Sequence, residues 1–285
     1  VVLEVGLGGR LDAVNLVDAD LALVTSIGVD HVEYLGNTRE SVAYEKAGIF
    51  RPGKPALCGD LNPPQPLLDK AAELGCPLFV RGRDFDLGTA DSVWHWQGRD
   101  AAGQVVELRD LPLLDLPMEN AALALQAYAL TGLPWQPERI IEALQGTQVT
   151  GRLDRRQFNW HGKTLNMLLD VGHNPHAAEY LVKRLQQRPI AGRRLAVFGL
   201  LADKDLDGVV SQLAPVVAHW AVAPLNTGRT RPAAELQGSL QDLGARVSVF
   251  ASVEAALEAQ CEQATGQDEI LLFGSFYCVA EALEW

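Results

Sequence analysis

Glu4 interrupts the apolar run Val1-Val2-Leu3-Glu4-Val5, and a glycine-rich turn with Gly6, Gly8 and Gly9 follows it, closing on Arg10 and Asp12. The run reads as a buried strand and the glycines as the tight loop after it. A carboxylate in an apolar strand is costly to bury unless a partner or a metal ion compensates it. The spacing leaves two readings open: a strand end capped by a local Arg10–Asp12 pair, or a functional loop. Asp30 and His31 follow the apolar stretch 19–26 in I-G-V-D-H, just past a strand's carboxyl end, where open α/β sheets place ligands. A lone histidine there is also an ordinary structural hydrogen-bonding residue. Lys46, in E-K-A-G, reads from the residues alone as a solvated helix lysine or half of a weak surface pair. In D-V-G-H-N-P, Asn174 is a good N-cap and Pro175 an ideal first helical residue. Asp170 and His173 thus stand at a strand's carboxyl end beside a helix N-terminus, which favours anions, although the same residues serve as a plain capping motif.

The elements that must position these groups follow from hydrophobic pattern and punctuation. Thr38 caps a helix running to about residue 49; strands at 55–59 and 77–80 flank a helix at 66–74. Residues 84–109 alternate with glycines at the turns and predict an antiparallel hairpin or small meander, in which Trp94 and Trp96 share one face. That face suits core packing better than stacking on a ligand ring. A helix begins after Pro117, with Asn120 in its first turn, and stops at Gly132; another spans 137–144. The polar segment 146–152 is the boundary between domains 1–148 and 149–285. From Lys163 on, strands at 164–171, 194–198, 219–223, 246–250 and 269–273 alternate with helices after Pro175, Asp205, Pro232, Ser252 and Ser275. Such alternation predicts a parallel, doubly wound sheet. The fold class is α/β throughout.

A chain of 285 residues can hold two domains, and a net charge of -12 repels phosphate backbones and anionic membranes. No apolar run approaches the roughly 18 residues of a membrane span. The four cysteines, Cys58, Cys76, Cys261 and Cys278, lack the spacing of a zinc site or disulfide framework and read as buried thiols in a reducing, cytoplasmic compartment. A dinucleotide fingerprint would need a third glycine where Leu11 stands, which disfavours a nicotinamide oxidoreductase.

Taken in order, E-V-G-L-G-G-R-L-D, D-H-V-E-Y-L-G-N-T, E-K-A-G-I, P-M-E-N-A-A-L-A, T-G-R, D-V-G-H-N-P and G-S-F resemble the motifs of folylpolyglutamate and dihydrofolate synthases, members of the Mur ligase superfamily. Thr150 replaces the proline of the family's P-G-R linker, and Gly172 its usual alanine in D-x-A-H-N-P. The resemblance implies a central ATPase domain followed by a Rossmann-like ligase domain. It implies magnesium held by Glu4, His31 and a carbamylated Lys46, with Asp12 in the active-site loop. It implies ATP contacts from Asn120 to the base, Asp170 to the ribose and Arg152 to the phosphates, and glutamate contacts from His173, near the reacting centre, and Ser275. The loop 202–205 is family-like, but its charges could merely cap the next helix, and Arg229 and Arg231 read as a solvated loop.

The implied reaction joins L-glutamate to dihydropteroate or a reduced folate through an acyl phosphate, using ATP and Mg2+, in a monomer, with domain closure excluding water. The phosphate loop ending G-K-S or G-K-T that such ligases need is absent from the sequence. With the start in mid-strand, this leads us to expect a fragment that lacks the family's N-terminal part and does not ligate alone. A Mur-type cell-wall peptide ligase and a noncatalytic nucleotide-binding module are the alternatives.

Overall fold

Short apolar triplets separated by helices open the first of two units, Val1–Thr147 and Gln148–Trp285. The structure is a computed structural model and describes residues 1–90 and 93–285. In the first unit β1 (Ala22–Val24), β2 (Ala56–Cys58) and β3 (Leu78–Val80) form a parallel sheet in that order. The connections carry α1 (Val32–Leu35), α2 (Arg39–Ala47) and α3 (Gln65–Glu73). Thr38 starts α2 by accepting the Ser41 amide, as its sequence predicts. Val42, Ala43 and Ala47 of α2 and Leu67 and Ala71 of α3 pack on Ala22, Val24, Ala56 and Val80.

Beyond that sheet come β4 (Asp86–Ala90), β5 (Val93–Arg99) and β6 (Val105–Pro112), an antiparallel meander, and the helices α4 (Met118–Leu130) and α5 (Pro137–Gly146). Asp91 and Ser92, within the meander's predicted span, lie outside the described residues. Trp94 and Trp96 are fully buried against α4 with Leu108, Leu111 and Leu123, so the packed-face reading holds.

One expectation is overturned. Residues 1–5 are not a buried strand: Val1, Val2 and Leu3 are exposed and the segment has no regular structure. A strand exists only where a neighbour pairs its amides and carbonyls; among the described residues none pairs with 1–5, so apolar content alone does not make it one.

The second unit is a six-stranded sheet in the order β11-β10-β9-β12-β8-β7. Its strands are β7 (Asp154–Trp160), β8 (Lys163–Asp170), β9 (Arg194–Phe198), β10 (His219–Val222), β11 (Val247–Val249) and β12 (Glu269–Phe273). From β8 onward all are parallel, as expected. Helices α6 (Pro175–Gln187), α7 (Leu206–Leu213) and α8 (Ala233–Asp242) cover one face; α9 (Val253–Gln263) and α10 (Phe276–Glu284) cover the other.

The antiparallel edge strand β7 is an addition to the sequence reading. Its signal was the two-residue turn His161-Gly162, whose φ of 44° and 80° suit a hairpin, and the alternation placing Phe158 and Trp160 on one face.

The β12 entry is fixed by Asp268, which accepts the Arg193 amide at 2.6 Å, the Thr265 amide at 2.9 Å and the Arg193 guanidinium at 3.1 Å. Burial alone would raise its pKa, but the Arg193 and Thr265 hydrogen bonds outweigh burial and hold it at about 2. Because the folded value lies below the unfolded one, the stabilisation is complete above pH ~4 and disappears as pH falls through about 2. We predict that Asp268→Asn destabilises the chain by about 2–3 kcal/mol at pH 7. Urea unfolding against pH measures this: the gap between the two proteins should narrow between pH 4 and 2.

Candidate active site

In the second unit the chain passes from β8 to β9 and outward to β10 and β11, then returns through β12 between β9 and β8. That reversal opens the crevice at the carboxyl ends of β8, β12 and β9 where doubly wound sheets bind ligands. Phe273 pairs with Asp170 on one side and Phe198 on the other, so Asp170, His173 and Ser275 all belong to this end of the sheet. Gly274 permits the close approach there: at its φ of 115°, an added Cβ would lie 2.3 Å from the Gly199 carbonyl oxygen.

Each predicted residue has definable chemistry. Asn174 caps α6 by accepting the Ala177 amide at 2.9 Å, which seats His173 between strand and helix. The His173 Nδ1 lies 3.0 Å from the Val171 carbonyl oxygen. A carbonyl only accepts, so Nδ1 carries the proton and Nε2 is the free ring acceptor of the neutral imidazole. Ser275 is buried and caps α10 by accepting the Cys278 amide at 3.0 Å, which leaves its hydroxyl hydrogen to donate. Asp170 is also buried, and both carboxylate oxygens are engaged by backbone amides, Leu153 at 3.0 Å and Gly172 at 2.7 Å. Burial pushes its pKa up, against those two hydrogen bonds. Its visible task is therefore to tie the linker at Leu153 to β8. Arg152, one residue earlier, is exposed with its guanidinium over the Phe276 ring.

Around the same sheet end, Lys204 is nearly buried beside Asp203, and Arg229 reaches Asp203 from the surface. Arg231 is not a solvated loop residue: it donates to the carbonyls of Ala202 and Lys204, both at 2.7 Å, and pairs with Glu235. A guanidinium satisfies two carbonyls and a carboxylate at once, which makes it a strut for the 202–204 loop.

In the first unit the glycine loop lies on α1 and α2. An added Cβ at Gly8 would sit 2.9 Å from Leu35 of α1, and at Gly9 2.9 Å from the Glu45 carbonyl oxygen. Asp12 accepts the amides of Gly6, Leu7 and Val14, each at 3.0 Å, and those bonds, Leu7 first, lower its pKa. It shapes the loop, and Arg10 pairs with Glu45 at 2.9 Å rather than with Asp12 as the local-pair reading had it. With Glu45 engaged by Arg10, Lys46 is half-buried and its side chain has no hydrogen-bond or ion-pair partner among the described residues. Burial lowers its pKa. His31 is exposed with a left-handed backbone at φ 50°, Glu4 is exposed on the irregular segment 1–5, and Asn120 is exposed in the first turn of α4.

Residues 151–276 match the family described as Mur ligase, glutamate ligase domain. The chain is similar to the dihydrofolate synthase/folylpolyglutamate synthase of Escherichia coli, 43% identical across 100% of this chain and 64% of the relative. Its counterpart in Haemophilus influenzae is 38% identical across 99% of this chain and 67% of the relative. The chain belongs to the folylpolyglutamate synthase/dihydrofolate synthase family. It spans about two thirds of the length of these curated relatives. A bifunctional folylpolyglutamate synthase/dihydrofolate synthase from Yersinia pestis, solved in complex with AMPPNP and Mn ion, superposes with a TM-score of 0.86 at 41% identity, over 98% of this chain and 64% of that one.

Membership of the folylpolyglutamate synthase family implies a divalent cation. Among the described residues no three His, Cys, Asp or Glu side chains form a group that could hold a metal. The residues nevertheless fit the ion in kind: a carboxylate, an imidazole and a lysine whose half-buried amine is shifted by burial towards its neutral form. The glycine loop itself touches α1 at Leu35 and α2 at Glu45, whereas Glu4 lies ahead of the loop on the irregular segment. Sequence reasoning overlooked Phe276, whose signal was an exposed aromatic immediately after the G-S pair.

Proposed function

We propose that the protein carrying this chain is an ATP-dependent amide ligase of the cytoplasm, acting as a monomer. It adds L-glutamate to the carboxylate of dihydropteroate or a reduced folate. The observation that carries this reading is the similarity along the entire chain to a dihydrofolate synthase/folylpolyglutamate synthase, 43% identical over 284 residues. The Yersinia relative's AMPPNP and Mn ion support ATP and a divalent cation here. Free cysteines throughout support a reducing compartment.

A carboxylate is a poor electrophile, so one of its oxygens first attacks the γ-phosphorus of ATP and releases ADP, giving an acyl phosphate. The glutamate amine then attacks the acyl carbon and phosphate departs with that carboxylate oxygen. Arg152 presents its planar fork to the phosphoryl oxygens. His173 holds Nε2 free to take a proton from the attacking amine, and Ser275 donates its hydroxyl to a glutamate carboxylate. Asn120 faces the nucleotide base and Asp170 the ribose, while Asp12 keeps the glycine loop in shape. Glu4, His31 and carbamylated Lys46 would hold magnesium, which when bound neutralises charge on the transferring phosphoryl group.

The test is ADP release by the whole protein that carries this chain, with and without L-glutamate, offered dihydropteroate and then a reduced folate. Release that requires glutamate and either acceptor is expected. Release with neither would transfer the proposal to another Mur-type acceptor.

A further inference from the structure

Arg152 is held differently from the arginines near it. Arg155 and Arg194 pair with Glu269, Arg156 with Asp154 and Arg193 with Asp268. Carboxylates occupy guanidinium donors. Arg152 instead places its Cζ 5.7 Å from the centroid of the Phe276 ring. A cation–π contact holds the guanidinium over the ring without occupying its N–H groups with a carboxylate.

The backbone under it is fixed from both sides. The Gly151 carbonyl accepts the Val171 amide at 2.8 Å, and the Leu153 amide donates to Asp170 at 3.0 Å. Gly151 and Leu153 both have left-handed backbones, with φ of 72° and 47°. At Gly151 an added Cβ would stand 2.8 Å from Val171, so this tight crossing specifies glycine. Phe276 is fixed as firmly: it is the first residue of α10, directly after the buried cap Ser275. Phe276 itself is 59% exposed, so its ring is open on the side away from the helix.

We propose that Phe276 is a positioning residue for Arg152, holding the guanidinium face-on so that its free N–H edges meet the phosphoryl oxygens of the nucleotide. The inference rests on the ligase reading only for the identity of that anion. Two rigid points define the grip: the β8 end anchors the arginine backbone, and the α10 start supplies the ring. A third point, the anion, completes it.

The experiment is a double-mutant cycle in the whole protein that carries this chain, reading AMPPNP affinity and, separately, kcat and KM for glutamate. Phe276→Leu keeps apolar bulk and removes the π face; Phe276→Tyr keeps both. We expect Phe276→Leu to weaken AMPPNP binding about 2–5-fold and lower kcat by a similar factor, with KM for glutamate unchanged. Phe276→Tyr should restore both. In an Arg152→Ala background, Phe276→Leu should have no further effect. Effects of the two substitutions that multiply independently would overturn the inference, as would a Phe276→Leu protein that matches the unaltered one. If AMPPNP affinity shows the coupling while no variant ligates, the grip stands and the ligase reading falls.

Discussion

Replacing Arg152 with alanine is expected to lower glutamate-dependent turnover about 10³-fold, the low end of what an arginine contributes when it neutralises a transferring phosphoryl group. The effect should fall on kcat, because negative charge on the phosphoryl oxygens is redistributed as the acyl phosphate forms and the guanidinium gains most there. Arg152→Lys should recover only part of the loss, since an ammonium offers a point charge where the fork offers two parallel donors. Stability should barely change: the side chain is exposed and the linker is tied by backbone groups of Gly151 and Leu153, which the substitution keeps. Steady-state kinetics beside a urea unfolding curve separates the two readouts. A loss below tenfold with unchanged stability would remove Arg152 from the phosphate site.

Lys46→Met should be comparably severe, with turnover reduced at least about 10²-fold, because it removes one proposed ligand of the cation outright. Methionine matches the length of the stem and suits a half-buried helix position, so the fold should tolerate it. The proposed carbamate has its own signature. Peptide mapping under CO2-preserving conditions should find one CO2 added at Lys46 in the unaltered protein and nowhere on this helix in the variant. The pH dependence follows from the direction of the shift. Burial lowers the Lys46 pKa, so its neutral amine is more available at a given pH than that of a free lysine. In CO2-depleted buffer, activity should therefore fall as pH is lowered and return when bicarbonate is supplied. Full activity of Lys46→Met would show that the lysine holds no cation.

Most of the second unit was legible because its signals are local and agree with one another. Asn174-Pro175 and Ser275 each end a strand and start a helix within two residues, and the structure places both starts where they were expected. Trp94 and Trp96 likewise met the face that their period of two requires. The failures are at positions decided by partners distant in sequence. Val1-Val2-Leu3 has the composition of a strand but no pairing neighbour among the described residues. β7 was hidden because its charged residues mask the alternation of Phe158 and Trp160. Arg10 sought Glu45, 35 residues away, instead of nearby Asp12. The roles read from motifs were similarly uneven. Asp170 and Asp12 have the carboxylates that the motifs demand, yet both visibly organise backbone amides, and no local pattern distinguishes an aspartate that binds a ligand from one that shapes a loop.

The most direct test of acyl-phosphate ligation is the fate of the acceptor's carboxylate oxygen. Dihydropteroate labelled with ¹⁸O in its carboxylate, incubated with ATP, L-glutamate and the whole protein that carries this chain, should yield one labelled oxygen in each inorganic phosphate released, with formation of the amide. Unlabelled phosphate accompanying amide formation would contradict the account, because the carboxylate would then have been activated by some route other than attack on the γ-phosphorus.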